Sequence, residues 1–280
     1  MDSDRQPDGG VEPAPDPAGP DPDTGPPLYK MGTTKQRIRS LLDTVGVIAG
    51  AFIGSQVLVL VVVQVVVLLG LASIPADFSA VTDLPASLTA VVIATSFIAY
   101  FLIGAAYLRW RRGSTPFDTT LYDVRLPTLR DLGWVVGGLV GLIVLLLTVV
   151  TIAAQFGLQT STNSAETIAR ADPALALFLA LNALVLNGPA EEFLFRGIIQ
   201  GLFREAYGVL PGILLSSAAF GVVHYISLSG GSVAYTLVVI ATLGIALGAL
   251  YEWTENLLVP SLVHGLFNAL QFAALYVSAT

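Results

Sequence analysis

No cysteine occurs anywhere in the 280 residues, so neither a disulfide nor thiol chemistry can be part of what this chain does. Charge is scarce as well: Asp, Glu, Lys and Arg make up 12% of the residues, against about 25% in a soluble domain. No serine sits in a G-x-S-x-G turn, which argues against a serine acyl-enzyme, and no H-E-x-x-H pair offers a zincin site. Histidine is limited to His224 and His264, and no internal repeat is visible. What fills the chain is apolar: 54% of residues are hydrophobic and the mean hydropathy is +0.76. That balance excludes an ordinary soluble domain and gives an all-α fold, a polytopic transmembrane helical bundle.

The net charge of −7 belongs almost entirely to one end. Residues 1–27 carry Asp2, Asp4, Asp8, Glu12, Asp16, Asp21 and Asp23 against Arg5 alone, together with eight of the sixteen prolines. Such a segment cannot bury enough apolar surface to offset its ordering entropy, so a disordered acidic tail is expected. It lacks the basic start and apolar core of a signal peptide.

Apolar segments follow at roughly Thr44–Ala72, Leu88–Leu108, Leu132–Ala154, Pro173–Leu186, Pro189–Tyr207, Leu210–Leu228, Ser232–Glu252 and Leu257–Ser278. Two of these are short for a crossing of about 20 residues. Broken at Asn187-Gly188-Pro189, they are either two helices or one kinked crossing, so seven or eight segments are expected. Residues 28–170 form the N-terminal membrane segments, and 171–280 hold the polar groups of interest. Nine of the thirteen basic residues lie in two stretches, Lys30, Lys35, Arg37 and Arg39, then Arg109, Arg111, Arg112, Arg125 and Arg130. The positive-inside rule puts both stretches, and the N-terminus, on the cytoplasmic side of a cell membrane. Trp110, Trp134 and Trp253 fall at segment ends, as interfacial aromatics do. Glycines at 133, 137 and 141, and at 197 and 201, read as helix-packing positions.

The chain's organising stretch is Asn187–Gly197, N-G-P-A-E-E-F-L-F-R-G. Glu191, Glu192 and Arg196 lie there inside an apolar run, where each charge costs about 2.5–3.5 kcal/mol on insertion scales. Pro189 suits a first helical position, which would place both glutamates in a first turn favoured by the helix dipole. Glu192 and Arg196, four apart, share a face and are expected to pair, leaving Glu191 to meet something else. Both histidines are also intramembrane, each at a four-residue spacing: Phe220 to His224, and His264 to Asn268. Polar groups within a bundle face inward and partner one another, so Glu191, His224, His264 and Asn268 are expected to converge. One carboxylate with two imidazoles has two routes. Glu191, His224 and His264 can hold a catalytic Zn2+ with an open water position. Without metal, the glutamate can take a proton from water while imidazole and amide donors stabilise an oxyanion.

These motifs, E-E-x-x-x-R, F-x-x-x-H and H-x-x-x-N on successive helices, resemble those of the CAAX-protease and bacteriocin-processing family of intramembrane endopeptidases. The resemblance covers roughly residues 173–275. It implies that Glu191 activates water, that Glu192 and Arg196 support it, and that His224, His264 and Asn268 complete the site. It further implies cleavage near the cytosolic membrane face, of prenylated proteins, peptides or membrane proteins. The expected partners are a lipid bilayer and a peptide or membrane-protein substrate, not nucleic acid. An ion- or proton-coupled transporter is the alternative from another class, although the polar groups are all C-terminal and no inverted halves are seen. A catalytically inactive scaffold or immunity protein is a third.

Overall fold

The computed structural model describes residues 27–75, 83–112 and 124–280. The expected disordered tail lies outside these residues, save for Pro27, as does the middle of the second basic stretch. Within them the chain runs through α1 (Thr34–Leu68), α2 (Ala86–Arg112), α3 (Leu129–Ala154), α4 (Ser164–Ala171), α5 (Pro173–Tyr207), α6 (Val209–Val223), α7 (Val233–Thr254) and α8 (Leu258–Ala279). All but α4 take part in the seven helices, among the described residues, that are long and apolar enough to cross a membrane. The all-α multi-pass expectation holds. The strands described are β1 (Thr162–Asn163) and β2 (Leu228–Ser229), an antiparallel two-residue pairing between loops.

Local chemistry sets the helix starts. Thr33 with Gln36, and Thr128 with Asp131, form capping boxes at α1 and α3. Asn163 and Asp172 cap α4 and α5 through their side chains, with Pro173 at the first position of α5. Away from their ends the spanning helices are predominantly apolar, and in hydrocarbon a helix is the way to satisfy the backbone.

Of the two alternatives at residues 187–189 the structure has the single crossing, Pro173–Tyr207, which makes the candidate spans among the described residues seven. Asn187 has helical angles, φ −62 and ψ −60, and caps nothing with its side chain. Glu191 and Glu192 therefore sit mid-helix and not at a free N-terminus, and the expected help from a helix dipole is absent. The reason lies in how Pro189 is absorbed. Residues 183–187 form a wide turn in which the Gly188 N–H bonds back to the Ala183 carbonyl, five residues away. That register makes room for a residue with no N–H and a bulky ring. A second wide stretch covers Phe193–Gln200. With seven crossings, Thr34 and Ala279 lie at opposite faces of the bundle.

α5 is the central rod. Its residues 194–203 pack with Val47 and Ala51 of α1 and Phe220 of α6. Its N-terminal part, Leu175–Leu179, packs with Ile168 and Ala169 of α4. A third cluster joins α3, α7 and α8 through Val135, Leu142, Leu247, Val259 and Val263. Close approach of α5 to α8 needs Gly188 and Gly265: a Cβ on Gly188 would lie 2.7 Å from the Gly265 nitrogen. Gly197 and Gly201 are buried as well. The stripe Gly133, Gly137, Gly141 is not a packing face among the described residues, none of which, apart from the adjoining turns of α3 itself, has an atom within 4 Å of where their Cβ atoms would be. It is Gly138 that meets Leu250 and Val263.

Candidate functional site

The two adjacent glutamates have different surroundings. Glu192 and Arg196 are fully buried and paired, with Arg196 Nη1 3.0 Å from Glu192 Oε1. Arg196 Nη2 donates to the Gly244 carbonyl of α7, and its guanidinium lies 4.7 Å from the Phe220 ring centroid. Glu191 keeps 13% of its side chain accessible. Of the two, only Glu191 can meet an incoming molecule.

His264 on α8 joins them. Its Nδ1 is 2.8 Å from Glu192 Oε1, and its Nε2 is 3.8 Å from Glu191 Oε2. A ring nitrogen this close to a carboxylate oxygen carries the proton, so Nδ1 donates and Nε2 faces Glu191. Glu192 Oε1 thus accepts from both Arg196 and His264, and orients the imidazole through a carboxylate–histidine contact.

Asn268, one turn beyond His264, does not reach Glu191 directly. Its Nδ2 donates to Asn187 Oδ1 at 2.9 Å, and Asn187 Nδ2 donates to Glu191 Oε1 at 2.7 Å. Asn187 is therefore the link that fixes the Glu191 carboxylate, leaving Oε2 toward His264. Its four-residue spacing from Glu191 was the available signal for it.

His224 stands at the end of α6. Its Nδ1 is 2.7 Å from the Phe220 carbonyl, which makes Nδ1 the donor and leaves Nε2 bare. Both imidazoles pack edge-on against the Phe220 ring, at centroid distances of 4.6 Å for His224 and 5.8 Å for His264. Phe220 is the neighbour they share. No three His, Cys, Asp or Glu side chains among the described residues are grouped to hold a metal ion. Glu191, His224 and His264 are thus not grouped in this arrangement as three ligands around one ion. Each histidine has Nδ1 on a nearby oxygen, which leaves Nε2 as the ring nitrogen turned to other groups, and the two rings meet through Phe220.

Below this centre a polar ladder continues along α5. Glu192, Arg196, Gln200 and Arg204 recur every four residues inside an apolar helix. In an ordinary helix, residues four apart turn about 40° from one another; the wide turn at 193–200 opposes that drift and keeps the column on one face. The column meets α7 in parallel register. Arg196 bonds Gly244 and Gln200 bonds Gly248, both 48 residues apart, and Gln200 and Arg204 also meet Glu252. A Cβ on Gly248 would lie 2.7 Å from Gln200 Oε1. Gln200, Arg204 and Glu252 escaped the sequence reading because their partners come from another helix.

The centre lies within the apolar layer. Phe193 stacks on Phe101 of α2 at 5.7 Å. Phe101 is seven residues, or about 10 Å, from the basic end of the apolar run at Leu108 and about 20 Å from its start at Leu88.

Residues 173–270 match the family model of the Rce1-like type II CAAX prenyl endopeptidases. That stretch contains all six motif residues, Glu191, Glu192, Arg196, His224, His264 and Asn268, and bears out the resemblance read from them. It covers about a third of the chain. No curated protein matches the chain, and neither does any solved structure.

Proposed function

We propose that the Rce1-like type II CAAX prenyl endopeptidase domain at residues 173–270 makes this protein an intramembrane endopeptidase that hydrolyses a peptide bond with water activated by Glu191. The observation that carries the reading is the accessible Glu191 carboxylate, held by Asn187 on one oxygen and facing His264 Nε2 with the other. A water bonded to both Oε2 and Nε2 at about 2.8 Å fits the apex of a triangle whose base is 3.8 Å. Glu191 takes a proton from that water, and the hydroxide oxygen bonds to the carbonyl carbon. The proton then passes from Glu191 to the amine nitrogen as the C–N bond breaks. Asn268 Nδ2 uses one hydrogen on Asn187, and the second is available to the developing oxyanion. His264 and His224 border the reacting space, while Glu192 and Arg196 hold His264 in place. CAAX-type C-terminal peptides are the first substrates to test. The reading predicts cleavage products by mass spectrometry when the purified protein is given a library of prenylated and unprenylated peptides. Ion flux in proteoliposomes without any product from that library would favour the transporter reading.

Asn187→Ala is expected to lower kcat about ten- to a hundredfold with little change in KM. It removes one hydrogen bond to a carboxylate, worth about 1.5–3 kcal/mol. A kcat equal to the parent's would show that Asn187 does not position Glu191.

The basic end is assigned to the cytoplasm of the cell membrane, which puts the N-terminus inside and the C-terminus outside. Cysteines placed at Met31 and Phe156, 82% and 77% exposed, report this in a chain with no cysteine of its own. An impermeant thiol reagent on intact cells should label the position 156 variant and spare the position 31 variant. The reverse pattern would invert the topology.

A further inference from the structure

A second polar site lies at the basic end, away from the centre described above. A cavity of about 210 Å³ opens between α1, α2 and α5, lined among others by Lys35, Gln36, Arg39, Ser40, Arg111 and Glu205. We propose that it binds a phosphate-bearing anion, of the kind that a phospholipid headgroup presents at the membrane surface.

Three observations point to that ligand. The first is charge. Lys35, Arg39 and Arg111 line the cavity against a single acid, Glu205. Arg111, whose side chain is 5% exposed, is bonded to Glu205 and to Asp43 behind it, so both acids are already engaged. Arg39 also approaches Asp43, at 3.5 Å. Counting three cations and two acids leaves one positive charge, and the exposed Lys35 makes no ion pair among the described residues. The second is donor chemistry. Gln36 accepts from Thr33 through Oε1, which leaves its amide N–H groups as donors at the rim. The third is depth. Trp110, 60% exposed and next to Arg111, packs on Tyr107 at 5.9 Å. Such aromatics sit at headgroup level. The long apolar run of α1 begins at Thr44, one turn beyond Ser40. A basic pocket between transmembrane helices at this level suits an anionic headgroup.

Thermal unfolding of the full chain tests this in three settings: phosphatidylcholine nanodiscs, nanodiscs of phosphatidylcholine mixed with phosphatidylglycerol, and the first with inorganic phosphate added. A ligand that binds the folded state raises the unfolding temperature. Phosphatidylglycerol is expected to raise it for the parent and for Arg109→Gln, which removes a cation outside the cavity. Most of that rise should be lost in Lys35→Gln/Arg39→Gln, each variant being compared with its own value in phosphatidylcholine. The same pattern with inorganic phosphate would identify free phosphate as a source; a rise with phosphatidylglycerol alone would identify the lipid. No rise with either probe, a rise kept by the double variant, or an equal loss in Arg109→Gln would overturn the proposal.

Discussion

Replacing Glu191 by glutamine is expected to lower cleavage about 10²–10⁴-fold, the usual contribution of a general base, while the unfolding temperature stays at the parent's value. Glutamine has nearly the same shape, and its carbonyl can still accept the 2.7 Å bond from Asn187 Nδ2. What it cannot do is take a proton from water. Because Glu191 carries no ion pair to Arg196, whose Nη1 is held by Glu192, its neutralisation strands no buried cation. Initial rates on a cleaved peptide, measured beside thermal unfolding in detergent, separate the two effects. A Glu191→Gln variant with near-parental rate would remove the base from the mechanism.

The neighbouring substitution should behave in the opposite way. Glu192→Gln leaves Arg196 without a counter-charge at a site where neither side chain has any exposure. Breaking a buried pair costs about 3–5 kcal/mol in a soluble core, so a marked loss of stability is expected. Activity per folded molecule should fall too, because His264 Nδ1 loses the carboxylate that orients it. Adding Arg196→Met should restore part of the stability by removing the lone cation. The recovery is expected to be incomplete: the methionine can pack on Phe220, but it cannot replace the bond to the Gly244 carbonyl. The measurements are unfolding midpoints and kcat normalised to folded protein for the single and double variants. A Glu192→Gln protein as stable as the parent would show that the pair does not matter to the fold.

Much of this was legible in the sequence because hydrocarbon makes polarity conspicuous. The multi-pass helical fold, with seven or eight segments, the Glu192–Arg196 pair and the approach of His264 to Glu191 follow from apolar run length, four-residue spacing and the cost of a lone charge in lipid. The path of α5 was less legible. Proline after glycine reads as a helix start, and nothing in a 3.6-residue period announces that a wide turn at 183–187 will carry the chain through. The Gly133–Gly137–Gly141 stripe misled for a related reason: spacing places small residues on one face but does not say what faces them. Which atoms meet between helices was beyond reach. The His264–Glu192 bond spans 72 residues and Asn268–Asn187 spans 81, so the roles of Asn187 and Glu192 as holders of Glu191 and His264 needed coordinates. The residues of the expected zinc set were identifiable, but not the use of both imidazole Nδ1 atoms on nearby oxygens.

Peptide cleavage in water enriched in ¹⁸O, run with the parent and with Glu191→Gln, tests the central claim most directly. The account predicts that the parent's product gains one heavy oxygen in its new C-terminal carboxylate, and that the variant yields little labelled product while remaining folded. Labelled product formed by Glu191→Gln at the parent's rate would contradict it.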